Sequence, residues 1–280
     1  MQVITSVKDI KLKVKAIKDS QLTIGFVPTM GALHEGHLSL IHTAKKENDE
    51  VIVSIFVNPL QFGENEDFHQ YPRTLDDDCR LLSKEGINAL FCPDRSEMYP
   101  AGFCTSVVLN NLEDMLCGKS RPGHFRGVAV VVLKLFNLIQ PDSAYFGQKD
   151  FQQTVIIKKM TRDLHLDSTI KVLPTVRDQG GLALSSRNAY LTELEKRDAY
   201  CLYRSLVKAQ SMADSGIRNA GKIIREIENI LNSYKTVTID YISIVNPETL
   251  ESVQEVQSGS VVALAVTIGR TRLIDNIILA

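Results

Sequence analysis

A chain of 280 residues, 44% apolar and 23% charged, has ordinary globular composition and room for one large or two modest domains, which excludes a disordered or fibrous protein. Its 32 basic and 33 acidic residues give a formal net charge of −1, which argues against a nonspecific nucleic-acid coat and leaves small anions open as ligands. No stretch approaches the roughly 18–20 apolar residues of a membrane helix, and the N-terminus has no apolar signal core, so a protein of the cytoplasm, without membrane attachment, is expected.

The elements follow in chain order. Ser6 caps a predicted helix running to Lys18, with Asp9 in its first turn. Leu22–Val27 reads as a short buried strand ending at Pro28, and a glycine-bearing turn leads to a helix starting near His34 or Gly36. Val51–Val57 is a second strand, stopped by Asn58-Pro59. A helix over Asp76–Lys84 and a strand at Ala89–Phe91 come next. This alternation predicts a parallel α/β sheet. Residues 128–139 fit a buried strand or a buried helix, and their length favours the helix. Ser143–Phe146, Phe151–Arg162 and Thr169–Leu173 extend the pattern as strand, helix and strand. After Pro174 the texture changes. Two helical patterns near 193–213 and 218–232 precede strands near 237–245, 260–268 and 272–278. The expected division is 1–175 as a parallel-sheet α/β domain and 176–280 as a smaller α+β domain.

Five cysteines, Cys79, Cys92, Cys104, Cys117 and Cys201, form no CxxC pair, so reduced thiols are expected rather than a zinc knuckle or a disulfide framework.

The chemistry concentrates in Pro28-Thr29-Met30-Gly31-Ala32-Leu33-His34-Glu35-Gly36-His37, placed between a strand and a helix. Ligands of open α/β sheets bind at such strand ends. His34 and His37, three apart, fall on one edge of a helix, where imidazoles and a helix N-terminus suit phosphate. The plainer alternative has one histidine capping the helix and the other packing or facing solvent. A third metal ligand is not apparent, HEGH is not HExxH, and no G-x-S-x-G elbow supports a serine triad.

This decapeptide resembles the HxGH element of nucleotidyl-transferring Rossmann-like enzymes. The stretch and the blocks after it are similar to the pantoate–β-alanine ligase family. The blocks are Asn58-Pro59-Leu60-Gln61-Phe62-Gly63, Tyr71-Pro72-Arg73 and Glu97-Met98-Tyr99-Pro100, then Arg121 to Val128, Phe146 to Gln153, Leu182 to Asn188, and Arg272-Leu273-Ile274-Asp275-Asn276. A lone HxGH is moderately specific; ordered blocks along almost the whole chain are far more so.

The resemblance implies condensation of D-pantoate with β-alanine through a pantoyl adenylate, giving pantothenate, AMP and pyrophosphate, with magnesium accompanying ATP, in a homodimer. It implies that His34, His37, Lys149 and Arg187 are catalytic. With them Met30, Gly147, Asp150, Val176, Leu184, Ser185 and Ser186 would hold ATP. Pro28, Gln61, Gln153 and Arg121 would hold pantoate, and Asp78, in the run Asp76-Asp77-Asp78, is the loosest assignment, to magnesium. The residue chemistry stands beside this: joining two anions needs Lys149 as a compact charge and Arg187 as a fork of donors. Glutamines can donate to a carboxylate and accept from a hydroxyl. The same residues would otherwise be a solvated loop pair, surface glutamines and, for Arg121 and Arg126, a solvated turn. In two places the chain departs from the family pattern: Gln148 stands where glutamate is usual and Gly180 where an acid is usual, which would bear on rate and on loop behaviour. A different nucleotidyltransferase and a nonenzymatic nucleotide-binding protein remain as rival readings, separated by whether AMP release depends on β-alanine and whether pyrophosphate is exchanged.

Overall fold

A computed structural model describes residues 1–64 and 66–280. In chain order the elements are β1 (Gln2–Ile4), α1 (Val7–Asp19), β2 (Ile24–Thr29), α2 (Glu35–Glu47), β3 (Glu50–Ile55), α3 (Leu75–Lys84), β4 (Ala89–Phe91), α4 (Arg95–Met98), α5 (Cys117–Ser120), α6 (His124–Ile139), β5 (Ser143–Gly147), α7 (Phe151–Asp163), β6 (Thr169–Leu173), α8 (Glu193–Asp214), α9 (Ala220–Asn232), β7 (Val237–Val245), β8 (Val261–Ile268) and β9 (Thr271–Ile278).

The first six strands form one all-parallel sheet in the order β1-β4-β3-β2-β5-β6. The order reverses between β2 and β5, which creates a crevice at their carboxyl ends. Pairing of β2 with β5 stops at Phe26, whereas pairing with β3 continues to Thr29. Pro28, with no N–H to contribute, sits inside β2 but beyond its last partner on β5, where its missing donor is tolerated. Sequence reasoning ended this strand at Pro28; the parallel partner β3 carries it one residue further.

The apolar run 128–139 is helical, as its length indicated. Helix α6 buries Val128, Val131, Val132, Leu135 and Phe136, so burial overrides the modest helix propensity of valine. The three-residue β1 was not anticipated. It is an edge strand with Val3 47% exposed, too short for a periodic signal.

The C-terminal strands make an antiparallel sheet in the order β7-β8-β9. In β8, Val262, Leu264, Val266 and Ile268 pack with Leu202, Leu206, Ile223 and Ile227 of α8 and α9. Val261 and Ala263, on the opposite face by the two-residue period, join the core beneath the parallel sheet. This smaller unit therefore has an apolar seat against the first.

A buried ion pair ties the C-terminal sheet to the segment after β6. Arg177, in the segment after β6, donates to Asp275 of β9 at 2.5 and 2.9 Å, and the Asp275 side chain is 1% exposed. Burial pushes the Asp275 carboxyl up, and the Arg177 hydrogen bonds only partly oppose this. Arg177→Ala would strand that carboxylate, so a loss of about 3 kcal/mol is expected. Thermal melts should show the deficit shrinking as pH falls, because folding then favours the protonated carboxyl. A melt unchanged at pH 8 would contradict the buried pairing.

Candidate functional site

Each wall of the β2/β5 crevice is built from a strand end. The turn after β2 runs through Gly31 and Ala32, both at positive φ (82° and 50°). Asp78 of α3 braces it from behind: its carboxylate accepts from the Ala32 and Leu33 amides at 2.9 and 2.8 Å. A Cβ on Gly31 would lie 3.1 Å from that carboxylate, so glycine permits the close approach. Asp78 is buried and does not line the crevice, whereas Asp77 pairs with Arg80 on the helix surface.

Both histidines cap α2 and both line the crevice. The Gly36 amide donates to His34 Nδ1 at 3.1 Å, and the His34 amide donates to His37 Nδ1 at 3.3 Å. Because each Nδ1 accepts, the tautomer inferred for each ring is Nε2–H. The cap, one of the two roles weighed in the sequence, uses Nδ1 of each ring and leaves each Nε2–H outside it. Burial lowers the His34 pKa to about 4, helped by the Lys149 charge, and lowers that of His37 to about 3, helped by His34 and then Lys149. The rings are neutral donors near pH 7, so they add no charge beside Lys149.

A folded-state pKa held below the unfolded value of about 6.5 leaves stability intact above pH 6.5 and removes it as pH falls toward the folded value. His37→Asn should therefore lose about 1–3 kcal/mol less than the parent between pH 7 and 4, after allowance for the partial exposure of the ring. Parallel acid titrations of the two proteins, overlaid, would contradict it.

The opposite wall begins where β5 ends. Gly147 leads into a single 3-10 turn, Gln148–Asp150, and α7 starts directly after it. The Lys149 side chain is 20% exposed, and its ammonium lies 3.8 Å from the Asp150 carboxylate. Gln148 turns away, and its amide donates to Asn276 Oδ1 at 3.2 Å. The second departure from the family pattern, Gly180, lies against Tyr200: a Cβ there would be 2.2 Å from the Tyr200 ring. The missing Cβ lets the Tyr200 ring pack directly on this segment.

Segment 184–187 closes the rim. Ser186 Oγ donates to the Ala32 carbonyl at 3.2 Å, tying this segment to the β2 turn. The Arg187 guanidinium donates to both Asp67 oxygens at 2.8 Å and lies over the Tyr71 ring at 5.6 Å. Burial opposes the Asp67 charge, but the Arg187 hydrogen bonds outweigh it and hold the carboxyl low.

The inner end is apolar, with Val128, Val131, Val132 and Leu135 of α6 beside Phe56. Gln61 enters it from a 3-10 turn whose Asn58 is 1% exposed. Asn58 Nδ2 donates to Gln61 Oε1 and to the Gly127 carbonyl, both at 3.0 Å, while Tyr99 donates to Asn58 Oδ1 at 2.7 Å. Arg121 forks onto Glu66 at 2.7 and 2.5 Å. His124 Nδ1–H donates to the Gln61 carbonyl at 2.7 Å, so its Nε2 accepts from Arg121 at 3.0 Å, and burial lowers its pKa to about 4. Arg126 turns outward to Glu113, away from the crevice.

Pro28, Met30, His34, His37, Gln61, Arg121, Gly147, Lys149, Asp150, Gln153, Val176, Leu184, Ser185, Ser186 and Arg187 all line one cleft of about 1360 Å³, open mouth included. Sequence reasoning missed Asn58, Tyr71 and His124 as members of the cleft wall, although each lies inside a quoted block. The acids Glu66 and Asp67, which neutralise the two rim arginines, had no signal beyond their charge. For magnesium, the described residues contain no cluster of three His, Cys, Asp or Glu side chains, and among them Asp150 is the one carboxylate on the cleft wall. That donor set fits a cation carried in on phosphates, which keeps several waters and takes one carboxylate, and not an all-protein cage.

Comparison with known proteins gives a consistent result. The family model described as Pantoate-beta-alanine ligase matches residues 2–278. Curated relatives named pantothenate synthetase include that of Caldicellulosiruptor saccharolyticus, 51% identical over 278 residues and covering 99% of each chain. Among solved structures, the pantothenate synthetase of Thermus thermophilus superposes with a TM-score of 0.94 at 43% identity, over 99% of each chain. The pantoate-β-alanine ligase of Francisella tularensis, described as complexed with beta-gamma ATP and β-alanine, superposes with a TM-score of 0.81 at 37% identity, over 99% of this chain and 97% of that one.

Proposed function

The chain belongs to the pantoate–β-alanine ligase family, and from that premise we propose how its cleft works. It joins pantoate to β-alanine with ATP, giving pantothenate. The observation that carries the site reading is the meeting, in one cleft at the β2/β5 switch point, of neutral histidine donors, Lys149 and the Ser185–Arg187 rim. In the proposed first step a pantoate carboxylate oxygen attacks the α-phosphorus and pyrophosphate leaves. The second step has the β-alanine amine attack the acyl carbon of the adenylate; AMP leaves and the amine sheds its proton.

Met30, Gly147, Val176 and Leu184 bed the nucleotide in this reading, with Asp150 placed for a ribose hydroxyl or for magnesium. Magnesium would arrive with ATP and neutralise phosphate charge. His34 and His37 give Nε2–H donors to the phosphates without adding charge, Lys149 balances charge building on the α-phosphoryl group, and Ser185, Ser186 and Arg187 hold the pyrophosphate. Gln61 and Gln153 orient pantoate beside Pro28 and the apolar wall, with Arg121 behind them. The water-poor inner end protects the adenylate from hydrolysis. Asp78 is placed as the brace of the β2 turn, in exchange for the magnesium role expected from the sequence.

The reading also includes a division at 175/176, with the second unit closing over the phosphates, a homodimer, and residence in the cytoplasm. No described helix is long and apolar enough to cross a membrane. Pantoate-dependent exchange of labelled pyrophosphate into ATP, without β-alanine, tests the adenylation step. Exchange that ignores pantoate would overturn it.

A further inference from the structure

The 3-10 turn that carries Lys149 has no capping side chain of its own. Its carbonyls are held from the other domain. Asn276 of β9, 2% exposed, donates through Nδ2 to the Gln148 and Lys149 carbonyls, both at 3.0 Å. Its Oδ1 accepts from the Gln148 side chain at 3.2 Å. The Asn276 amide is thus spent entirely on this turn; Asn276 is absent from the wall of the main cleft and lines a smaller cavity beside it, which shares Lys149, Asp150 and Gln153 with that cleft. The strand beneath is itself fixed: Asp275 accepts the Asn276 backbone N–H at 2.8 Å and the Arg177 fork on its other side. Arg177 also donates to the Gly181 carbonyl at 3.1 Å, in the segment that leads to the Ser185–Arg187 rim. One dipeptide of β9 therefore anchors both cationic arms of the cleft.

We propose that Asn276 is a positioning residue for Lys149 in adenylation, acting through the Lys149 backbone and touching no substrate. The inference rests on the ligase reading above. An ammonium on four flexible bonds reaches the transferring phosphoryl group reliably when its Cα is fixed, and a displacement of about 1 Å is enough to cost up to ~10²-fold in rate.

The test is pantoate-dependent pyrophosphate exchange by the parent, Asn276→Ala, Lys149→Ala and the double variant. The expected result is a kcat about 10–100-fold lower for Asn276→Ala, with KM for pantoate within about 3-fold. In the Lys149→Ala background the further loss should be under about 3-fold, because residues acting as a unit are not additive. A full multiplicative loss there, or an unchanged kcat in folded Asn276→Ala, would overturn the proposal. Asn276→Asp, which keeps the volume and replaces the donor, gives the same readout if the alanine variant does not fold. No exchange by the parent would instead sink the ligase reading, and is distinct from either outcome.

Discussion

Replacing Lys149 by alanine is expected to slow pantoyl-adenylate formation by about 10²–10³-fold, the range for losing one preorganised charge at a developing oxyanion. His34 and His37 are neutral, and the rim cations Arg121 and Arg187 are already matched to Glu66 and Asp67. Lys149 has only Asp150, at 3.8 Å and half exposed, to compete with a phosphate. Stability should barely change, since such a partly exposed pair contributes little. Lys149→Arg keeps the charge but not its compact form, and should recover only part of the rate. Single-turnover adenylation with ATP and pantoate measures this; a loss under about 5-fold would remove Lys149 from the chemistry.

The second large effect is expected at a residue that touches no substrate in this reading. Gly127 of α6 lies so close to the Asn58–Gln61 turn that an added Cβ would sit 2.2 Å from the Leu60 carbonyl oxygen and 2.6 Å from the Gln61 amide nitrogen. These are backbone atoms, so either α6 or the turn must move. The turn sets the Gln61 amide through Asn58, which also bonds the Gly127 carbonyl. Gly127→Ala should therefore raise KM for pantoate by about 10–100-fold while KM for ATP changes far less, the pattern of a displaced binding group. Equal changes in both constants would point to general loosening instead. Overpacking of this kind also costs about 1–3 kcal/mol, so the melt should drop with it.

How far the sequence carries can be seen at these same residues. The strand ends holding His34 and Lys149 were legible because glycine, histidine and lysine cluster where an apolar run stops. The parallel sheet was legible from the alternation of strand and helix. What could not be read depends on contacts between distant positions. Asp78 looks like one member of a helix-starting acidic run, and its service to the amides of Ala32 and Leu33 exists only after α3 folds back on the β2 turn. His124 reads as a turn residue until α6 places it against the Gln61 carbonyl. Gly180 reads as a departure in a loop, and its contact with Tyr200 exists only once α8 packs against that loop. The strand at Gln2–Ile4 had too few residues for a period.

The central claim is that one cleft carries both halves of an ATP-dependent amide synthesis. It is tested most directly by incubating the purified chain with ATP, magnesium, D-pantoate and β-alanine and measuring pantothenate, AMP and pyrophosphate together. The account predicts equal amounts of the three products, and AMP release that rises with β-alanine. AMP release indifferent to β-alanine, or ADP and phosphate in place of AMP and pyrophosphate, would contradict it.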